Sequence, residues 1–183
     1  MRENTPGGKK GGPLQRIICA VLLAVSVGWW LRGPAVTQAQ RGSDSDRQFL
    51  MQAASSGRAE VRLGQLATQR AASAEVKQFG QRMVDDHSKA NTELIALAQA
   101  KNIAVAKELD PKHQTMVEKL STLQGAAFDR AYMAGQVADH EQVMTLFTTA
   151  AKESHDAEVK AFAAETLPAL QEHLDLARQL TQR

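Results

Sequence analysis

The sequence has few of the residues on which disulfide frameworks, thiolate metal sites and β-sheets depend. Its single cysteine, Cys19, lies within an apolar run near the N-terminus, and aromatic residues make up only 4% of the chain. If that run is removed, the remaining chain has no thiol, which excludes disulfides, thiolate metal ligands and a cysteine nucleophile. Abundant alanine, leucine and glutamine, with few aromatic residues, favour packed helices over a sheet.

Motifs of nucleophilic catalysis and of phosphate binding are also absent. The sequence has no Gly-x-Ser-x-Gly, and its paired glycines, at 7–8 and 11–12, belong to the N-terminal leader. The formal net charge is +2, but five basic residues and one acid lie within residues 1–39, which leaves 17 basic and 19 acidic residues in the remainder. A near-neutral body gives no electrostatic basis for nucleic-acid binding, so we expect no nucleic-acid partner.

The N-terminal leader predicts export from the cytoplasm. Residues 17–31 form a run of fifteen apolar or small residues that follows a polar start with lysines and arginines. Such a run is too short to cross about 30 Å of hydrocarbon comfortably, but it suits the core of a signal peptide. Residues 37–39 (Thr-Gln-Ala) offer a cleavage site. We predict a signal peptide over residues 1–39, with an uncleaved membrane anchor as the alternative, and a location in the periplasm or cell envelope.

Two stretches of the sequence recur at a fixed offset of 83 positions. Residues 46–50 (Asp-Arg-Gln-Phe-Leu) reappear as 129–133 (Asp-Arg-Ala-Tyr-Met), and residues 74–79 (Ala-Glu-Val-Lys-Gln-Phe) reappear as 157–162 (Ala-Glu-Val-Lys-Ala-Phe). Because only two copies occur, the repeat is one supersecondary unit used twice rather than a solenoid module. Apolar residues at spacings of three and four predict a helical hairpin in each copy.

The predicted fold is an all-α, ferritin-like four-helix bundle made of two repeated helical hairpins. A polar linker, residues 40–45, precedes the bundle domain, residues 46–182. The connection between the hairpins is long enough for a crossover along the bundle, and Asp110-Pro111 starts a short helix within it. Ser73 and Ser154 are the predicted N-caps of the second and fourth long helices. The four long helices are expected at about 46–71, 74–101, 125–152 and 155–182.

Each predicted long helix carries one ionisable residue within its apolar stripe, close to the middle of the helix. In an antiparallel bundle, mid-length positions on facing helices share one level, so these side chains are expected to meet in one inner layer. Imidazole and carboxylate ligands without sulfur suit iron, manganese, zinc or copper. The sequence therefore predicts a metal site formed by Glu60, His87, His140 and His173.

Each histidine of this predicted site directly follows an acid in the sequence. An acid one position back is turned about 100° from its histidine, and from there it can orient the imidazole of a neighbouring helix or join the ligand set. The predicted supporting residues are Asp86, Asp129, Tyr132, Asp139 and Glu172. The alternative is a hydrogen-bonded core layer of histidines without metal. We expect the remaining histidines, His113 and His155, to face solvent.

Several segments together resemble one known family. They are Glu60 with 63–67 (Leu-Gly-Gln-Leu-Ala), 83–87 (Met-Val-Asp-Asp-His), Gly125, 128–132 (Phe-Asp-Arg-Ala-Tyr), Gln136 leading to His140, and 167–168 (Leu-Pro) followed by 173–174 (His-Leu). In these segments, over roughly residues 46–181, the chain is similar to the exported bacterial ferritin-like family "domain of unknown function 4142". The resemblance implies a ferritin-like bundle exported to the periplasm or outer membrane. It implies no activity, because the family has none assigned.

A di-iron centre of the usual kind is not expected, because the sequence has no Glu-x-x-His motif. The interpretation favoured by the sequence is a non-enzymatic exported bundle that binds one metal ion, for metal buffering or an envelope stress response. A structural or interaction module and a metal-dependent oxidase or peroxide-consuming enzyme are the alternatives, so enzymatic activity stays open. Glycine- and alanine-rich helix faces allow a homo-oligomer. A membrane contact is expected only through an uncleaved leader, and no protein partner can be named.

Overall fold

The structure is a computed structural model, and it describes residues 38–182, with side chains from residue 43 onward. Within this range the chain forms five α-helices and no strand. The helices are α1 (Gln38–Arg70), α2 (Ala74–Ala100), α3 (Pro111–Ser121), α4 (Gly125–Glu153) and α5 (Ala157–Thr181). The predicted signal peptide lies outside the described residues except for its last two, 38 and 39. Among the described helices, none is long and apolar enough to cross a bilayer.

The four long helices form two antiparallel hairpins, α1 with α2 and α4 with α5. The hairpins pack through α1 against α4 and through α2 against α5. The crossover between them carries α3, which packs on α1 and α4. This arrangement confirms the predicted all-α bundle of two hairpins joined by a long connection with a short helix.

Side-chain caps set the starts of three helices. Ser73 Oγ accepts hydrogen bonds from two backbone N–H groups in the first turn of α2, as predicted. Asp110 caps α3, and Pro111 takes the first helical position, where its missing N–H would have no partner within the helix. The cap of α5 is Asp156 rather than the predicted Ser154, which instead ends α4. Asp156 is the residue directly before α5, so its carboxylate reaches the free N–H groups of the first turn.

The first helix is longer than the sequence predicts. It begins at Gln38 rather than near residue 46, so residues 40–45, expected as a polar linker, are helical in the structure. This segment holds no proline and no run of β-branched residues that would stop a helix. Because nucleation is the costly step and propagation is not, a stable helix extends easily into such a segment.

The turn of each hairpin is held by an aspartate of the other hairpin. The Asp129 carboxylate on α4 accepts hydrogen bonds from the backbone N–H groups of Ala72 (3.0 Å) and Ser73 (2.9 Å), between α1 and α2. Asp46 on α1 accepts a hydrogen bond of 3.3 Å from the backbone N–H of Asp156, between α4 and α5. The two aspartates are 83 positions apart, and so are Ser73 and Asp156. These bonds fix the axial register of one hairpin against the other.

A layer of polar side chains divides the apolar core into two clusters. The first cluster, which includes Leu50 and Phe147, lies toward the turn between α4 and α5. The second cluster, which includes Phe79 and Phe128, lies toward the turn between α1 and α2. On each long helix, a buried polar residue stands between the residues that contribute to the two clusters. The buried polar residues of this layer are Glu60, His87, Gln136, Asp139, His140 and His173.

Candidate metal centre

Three histidines from three different helices converge in the polar layer. His87 is on α2, His140 on α4 and His173 on α5, and one ring nitrogen of each lies within 4.8 Å of those of the other two. The ring centroids are 5.4, 5.5 and 5.8 Å apart. The residues are 8%, 1% and 1% exposed, in that order. These three residues, here called the histidine trio, form a compact group of imidazoles closed off from solvent.

Hydrogen bonds fix the orientation of two of these rings. His140 Nδ1 lies 3.0 Å from the backbone carbonyl oxygen of Gln136, and His173 Nε2 lies 2.7 Å from Asp86 Oδ2. Because carbonyl and carboxylate oxygens only accept, each of these nitrogens carries the hydrogen, and the opposite nitrogen of a neutral ring holds a lone pair. The opposite nitrogens, His140 Nε2 and His173 Nδ1, are buried without a hydrogen-bond partner, and so is His87 Nε2.

Burial keeps the histidine trio neutral at pH 7. Burial and the neighbouring imidazoles of His140 and His173 lower the pKa of His87 to about 3. Burial and His173 lower the pKa of His140 to about 4. Burial also lowers the pKa of His173, although its hydrogen bond to Asp86 acts in the opposite direction. Neutral imidazoles with free lone pairs are the form that binds metal ions.

Asp86 orients one imidazole of the trio across a contact between two helices. It directly precedes His87 on α2, yet its carboxylate accepts the hydrogen bond from His173 on α5. Arg82, one turn earlier, donates to Asp86 at 3.2 Å and to Glu172 at 2.6 Å. Burial acts against the charged form of Asp86, but the hydrogen bonds from His173 and Arg82 hold its pKa below the ordinary value. Asp86 is therefore an anionic acceptor behind His173, whereas the Glu172 carboxylate pairs with Arg82 at the surface.

Glu60, the fourth predicted ligand, is buried in the same layer but does not belong to the three-nitrogen group. With His87 and His140 it lines a cavity of about 20 Å³, which is enough for one water-sized species. Its Oε2 accepts a hydrogen bond of 2.7 Å from Gln136 Nε2, and its Oε1 is buried without a partner. Burial and the nearby Asp139 carboxylate raise the pKa of Glu60 to about 8. The carboxyl group of Glu60, in the wall of the cavity beside the trio, therefore keeps its proton to a higher pH than an exposed glutamate does.

Asp139 contacts α3 instead of His140, the residue that follows it. Its Oδ1 lies 2.9 Å from Lys112 Nζ and 3.6 Å from His113 Nε2. His113 Nδ1 lies 2.6 Å from Asp110 Oδ2 on its other side. Burial acts against the protonation of His113, but the nearby Asp139 carboxylate and the hydrogen bond with Asp110 raise its pKa above the ordinary value. The Asp139 carboxylate therefore belongs to an ion-pair cluster with α3.

His113 is buried, which corrects the expectation that it faces solvent. The sequence held a signal for this, because His113 lies one turn before Val117 and two turns before Leu120, both buried on the same face of α3. The expectation that His113 faces solvent came from its position near the start of a helix in a long connection. His155, by contrast, is exposed as expected.

The other two predicted supporting residues lie away from the histidine trio. The Tyr132 ring stacks on Phe128 with a centroid distance of 5.5 Å and meets Phe79 edge-on at 6.1 Å. Its hydroxyl is buried without a hydrogen-bond partner, and burial together with Glu60 raises its pKa well above the ordinary value. Asp129 binds the turn between α1 and α2 at the end of the bundle. Of the predicted supporting residues, only Asp86 forms a hydrogen bond with a histidine of the trio in the part of the chain that the structure describes.

Comparisons with known proteins bear on the family and the fold. The family described as domain of unknown function (DUF4142) matches residues 32–180. No curated protein matches the chain at a significant level. Among solved structures, a DUF305 fragment from Deinococcus radiodurans is 13% identical with a TM-score of 0.68, and the match covers 76% of this chain and 96% of that one. CopM in the Cu(II)-bound form is 15% identical with a TM-score of 0.64, and the match covers 75% and 95%. At such identities the likeness shows the fold alone.

Proposed function

The chain belongs to the DUF4142 family, and from this premise we propose that it binds one metal ion at the histidine trio. The observation that carries the proposal is that each ring of the trio has one buried nitrogen without a hydrogen-bond partner. An unsatisfied buried polar group costs about 1–3 kcal/mol. Three such groups within one small cluster are costly in a bundle core, and an ion that accepts their lone pairs removes that cost.

The residues around the trio fit a metal site in protonation and orientation. The imidazoles are neutral at pH 7, so they need not lose a proton before they bind. The carboxylate of Asp86 accepts the hydrogen of His173, as in the metal–histidine–carboxylate arrangement that orients many ligating histidines. The carbonyl of Gln136 plays the same part for His140. A hydrogen-bonded histidine layer without metal, the alternative, would leave fewer of these nitrogens unpaired.

The donor set favours copper(II), with zinc next. Imidazole nitrogens suit copper, zinc, iron and nickel, whereas magnesium, calcium and manganese prefer oxygen. Among divalent ions at one nitrogen site, copper(II) binds most tightly. The copper-bound neighbour of the same fold makes copper(II) the first ion to test. Of the other two ions that the sequence left open, manganese prefers oxygen ligands, and iron(II) binds a nitrogen site less tightly than copper(II) or zinc.

The role that fits this site is metal buffering in the periplasm or cell envelope. The predicted signal peptide supports export, and a buried site with no thiol suits an oxidising compartment. A bound ion would be withheld from solution, because the trio is closed off from solvent on all three helices. A contribution to an envelope stress response follows from such buffering.

The test is metal content by mass spectrometry on the purified protein, produced without a metal-binding affinity tag and incubated with copper(II), zinc, iron and manganese in turn. We expect close to one copper per chain in the natural protein and almost none in His87→Ala/His140→Ala. His155→Ala, which removes an exposed histidine, is the matched control and should bind as the natural protein does. Circular dichroism of each variant shows whether its helices are intact.

Two results would contradict the proposal. The first is the absence of every tested metal from the natural protein, which would leave a structural bundle with a histidine core layer. The second is equal metal content in the natural protein and the double variant, which would place the ion elsewhere. Bound metal should also raise the melting temperature of the natural protein, because a ligand of the folded state stabilises that state.

A further inference from the structure

The histidine trio is enclosed, so an ion needs a route through the bundle. A surface depression of about 240 Å³ lies where α3 meets α1 and α4, and it is lined by Lys112, His113, Asp139 and Gln142 among others. Ser56 and Val143 line both this depression and the inner cavity beside the trio. The two spaces therefore adjoin each other at these two residues.

A carboxyl group lines each of these two spaces. Asp139 lines the depression, where its Oδ1 contacts Lys112, while its Oδ2 is buried without a hydrogen-bond partner. Glu60 lines the inner cavity, and its Oε1 is likewise buried without a partner. The spaces that the two carboxyl groups line share Ser56 and Val143, and burial together with the charge of Asp139 raises the pKa of Glu60. One carboxyl group thus lines the surface depression, and the other lines the adjoining cavity beside His87 and His140.

We propose that Asp139 and Glu60 form the passage by which a divalent cation reaches the histidine trio, and that Lys112 closes its outer end. This inference rests on the proposed metal site. Buried carboxyl oxygens replace part of the water that a cation loses on entry, which the apolar clusters on either side of the layer cannot do.

Lys112 is placed to compete with an incoming cation. Its ammonium group lies 2.9 Å from Asp139 Oδ1 and 2.8 Å from Gln142 Oε1. The Lys112 side chain is 52% exposed, whereas that of Asp139 is 4% exposed. A long, half-exposed side chain can swing into solvent, and the buried carboxylate then faces the depression without its counter-ion. A cation that takes the place of the ammonium restores the charge balance.

The test is the rate of copper(II) uptake and release by the natural protein and its variants, followed by stopped-flow absorbance. Asp139→Asn should slow uptake and release alike, by about tenfold, because charged residues in a cleft change association rates by factors of this size. Its equilibrium affinity should change much less than its rates, since a passage residue does not touch the bound ion. Lys112→Met should speed uptake severalfold. The matched controls are Asp85→Asn and Lys119→Met, both at exposed helix positions, and neither should change the rates.

Uptake by Asp139→Asn at the rate of the natural protein would overturn the inference, as would faster release with unchanged uptake, which would make Asp139 a support of the bound ion. If Asp139→Asn fails to fold by circular dichroism, Lys112→Met decides alone, and an unchanged uptake rate there overturns the inference. A natural protein that binds no copper at equilibrium overturns the metal site itself. If the natural protein binds copper(II) normally but the variants take it up and release it at unchanged rates, the proposed passage is overturned and the proposed metal site is not.

Discussion

His113 and the histidine trio are both buried, and they differ in the charge of their neighbours. His113 lies between the carboxylates of Asp110 and Asp139, which raise its pKa against the effect of burial. His140 is surrounded by other imidazoles and a backbone carbonyl, so burial and His173 lower its pKa to about 4. Burial alone therefore does not determine the direction in which the pKa of a histidine shifts. The charged groups that neighbouring helices place beside the ring also determine it.

The two environments predict different uses of the same side chain. The two carboxylates beside His113 favour its protonated form, which has no lone pair to give, so His113 suits an ion-pair link between α3 and α4. The neutral rings of the trio keep their lone pairs and have no positive charge to repel an ion. Asp139 belongs to both environments. Its Oδ1 lies 3.6 Å from His113 Nε2, and its charge adds to the effect of burial in raising the pKa of Glu60.

The largest expected effect is the acid sensitivity of the metal-free protein. Unfolded histidines titrate near pH 6.5, whereas the pKa values of His87 and His140 in the folded state are about 3 and 4. As the pH falls below 6.5, the unfolded chain binds protons that the folded chain cannot, so the free energy of unfolding decreases. Between pH 7 and pH 5 these two histidines should contribute a decrease on the order of 4 kcal/mol, measured by urea denaturation with a chelator present as the difference between the natural protein and His87→Leu/His140→Leu. Glu60 and His113, whose pKa values are raised, act in the opposite direction in both proteins. An equally steep pH dependence in His87→Leu/His140→Leu would contradict this origin.

The second effect is a difference in copper(II) affinity between a variant of the trio and a variant of His113. His140→Ala removes a proposed ligand and should weaken binding by at least about 100-fold, the upper end of what the loss of an outer partner causes. His113→Ala removes an equally buried histidine and should leave the affinity unchanged. Isothermal titration of both variants measures the difference. Similar losses of copper(II) affinity in the two variants would contradict the different roles assigned to the trio and to His113.

The third effect tests the carboxylate behind the trio. Asp86→Asn leaves an acceptor near His173 but removes the negative charge, and copper(II) affinity should fall by about tenfold. Glu172→Gln changes the other acid that Arg82 contacts and should have no effect on affinity, which makes it the matched control. An unchanged affinity in Asp86→Asn would argue that this hydrogen bond does not orient a metal ligand.

The smallest effect is the opposite pH dependence of His113. Its folded-state pKa is raised, so its ion pairs stabilise the protein fully below pH 6.5 or so and lose that effect as the pH rises through the folded-state pKa. The stability difference between the natural protein and His113→Gln should therefore be larger at pH 6 than at pH 9. Thermal unfolding at the two pH values measures it. A stability difference that is larger at pH 9 than at pH 6 would contradict a raised pKa for His113 in the folded protein.

The level of the site within the bundle could be predicted from the sequence, but its contacts could not. The mid-helix positions of Glu60, His87, His140 and His173 follow from helix lengths and the hairpin topology. Asp86 and Asp139 stand in the same sequence relation to a histidine, yet one contacts the trio and the other contacts α3. The partner that each aspartate contacts depends on the rotation of its helix about the helix axis and on which helix packs beside it at that point. Neither can be read from the spacing of residues along the chain.

The sequence by itself determined the all-α class, the two hairpins, the crossover helix and the three histidines on the apolar faces. These follow from local periodicity, capping residues and proline, which act within a few residues of chain. Only the tertiary structure decided that three imidazole nitrogens meet, that Glu60 stays outside their group, and that His113 is buried between two aspartates. Such contacts join positions far apart in the chain, and their charges and distances exist only once the helices have packed.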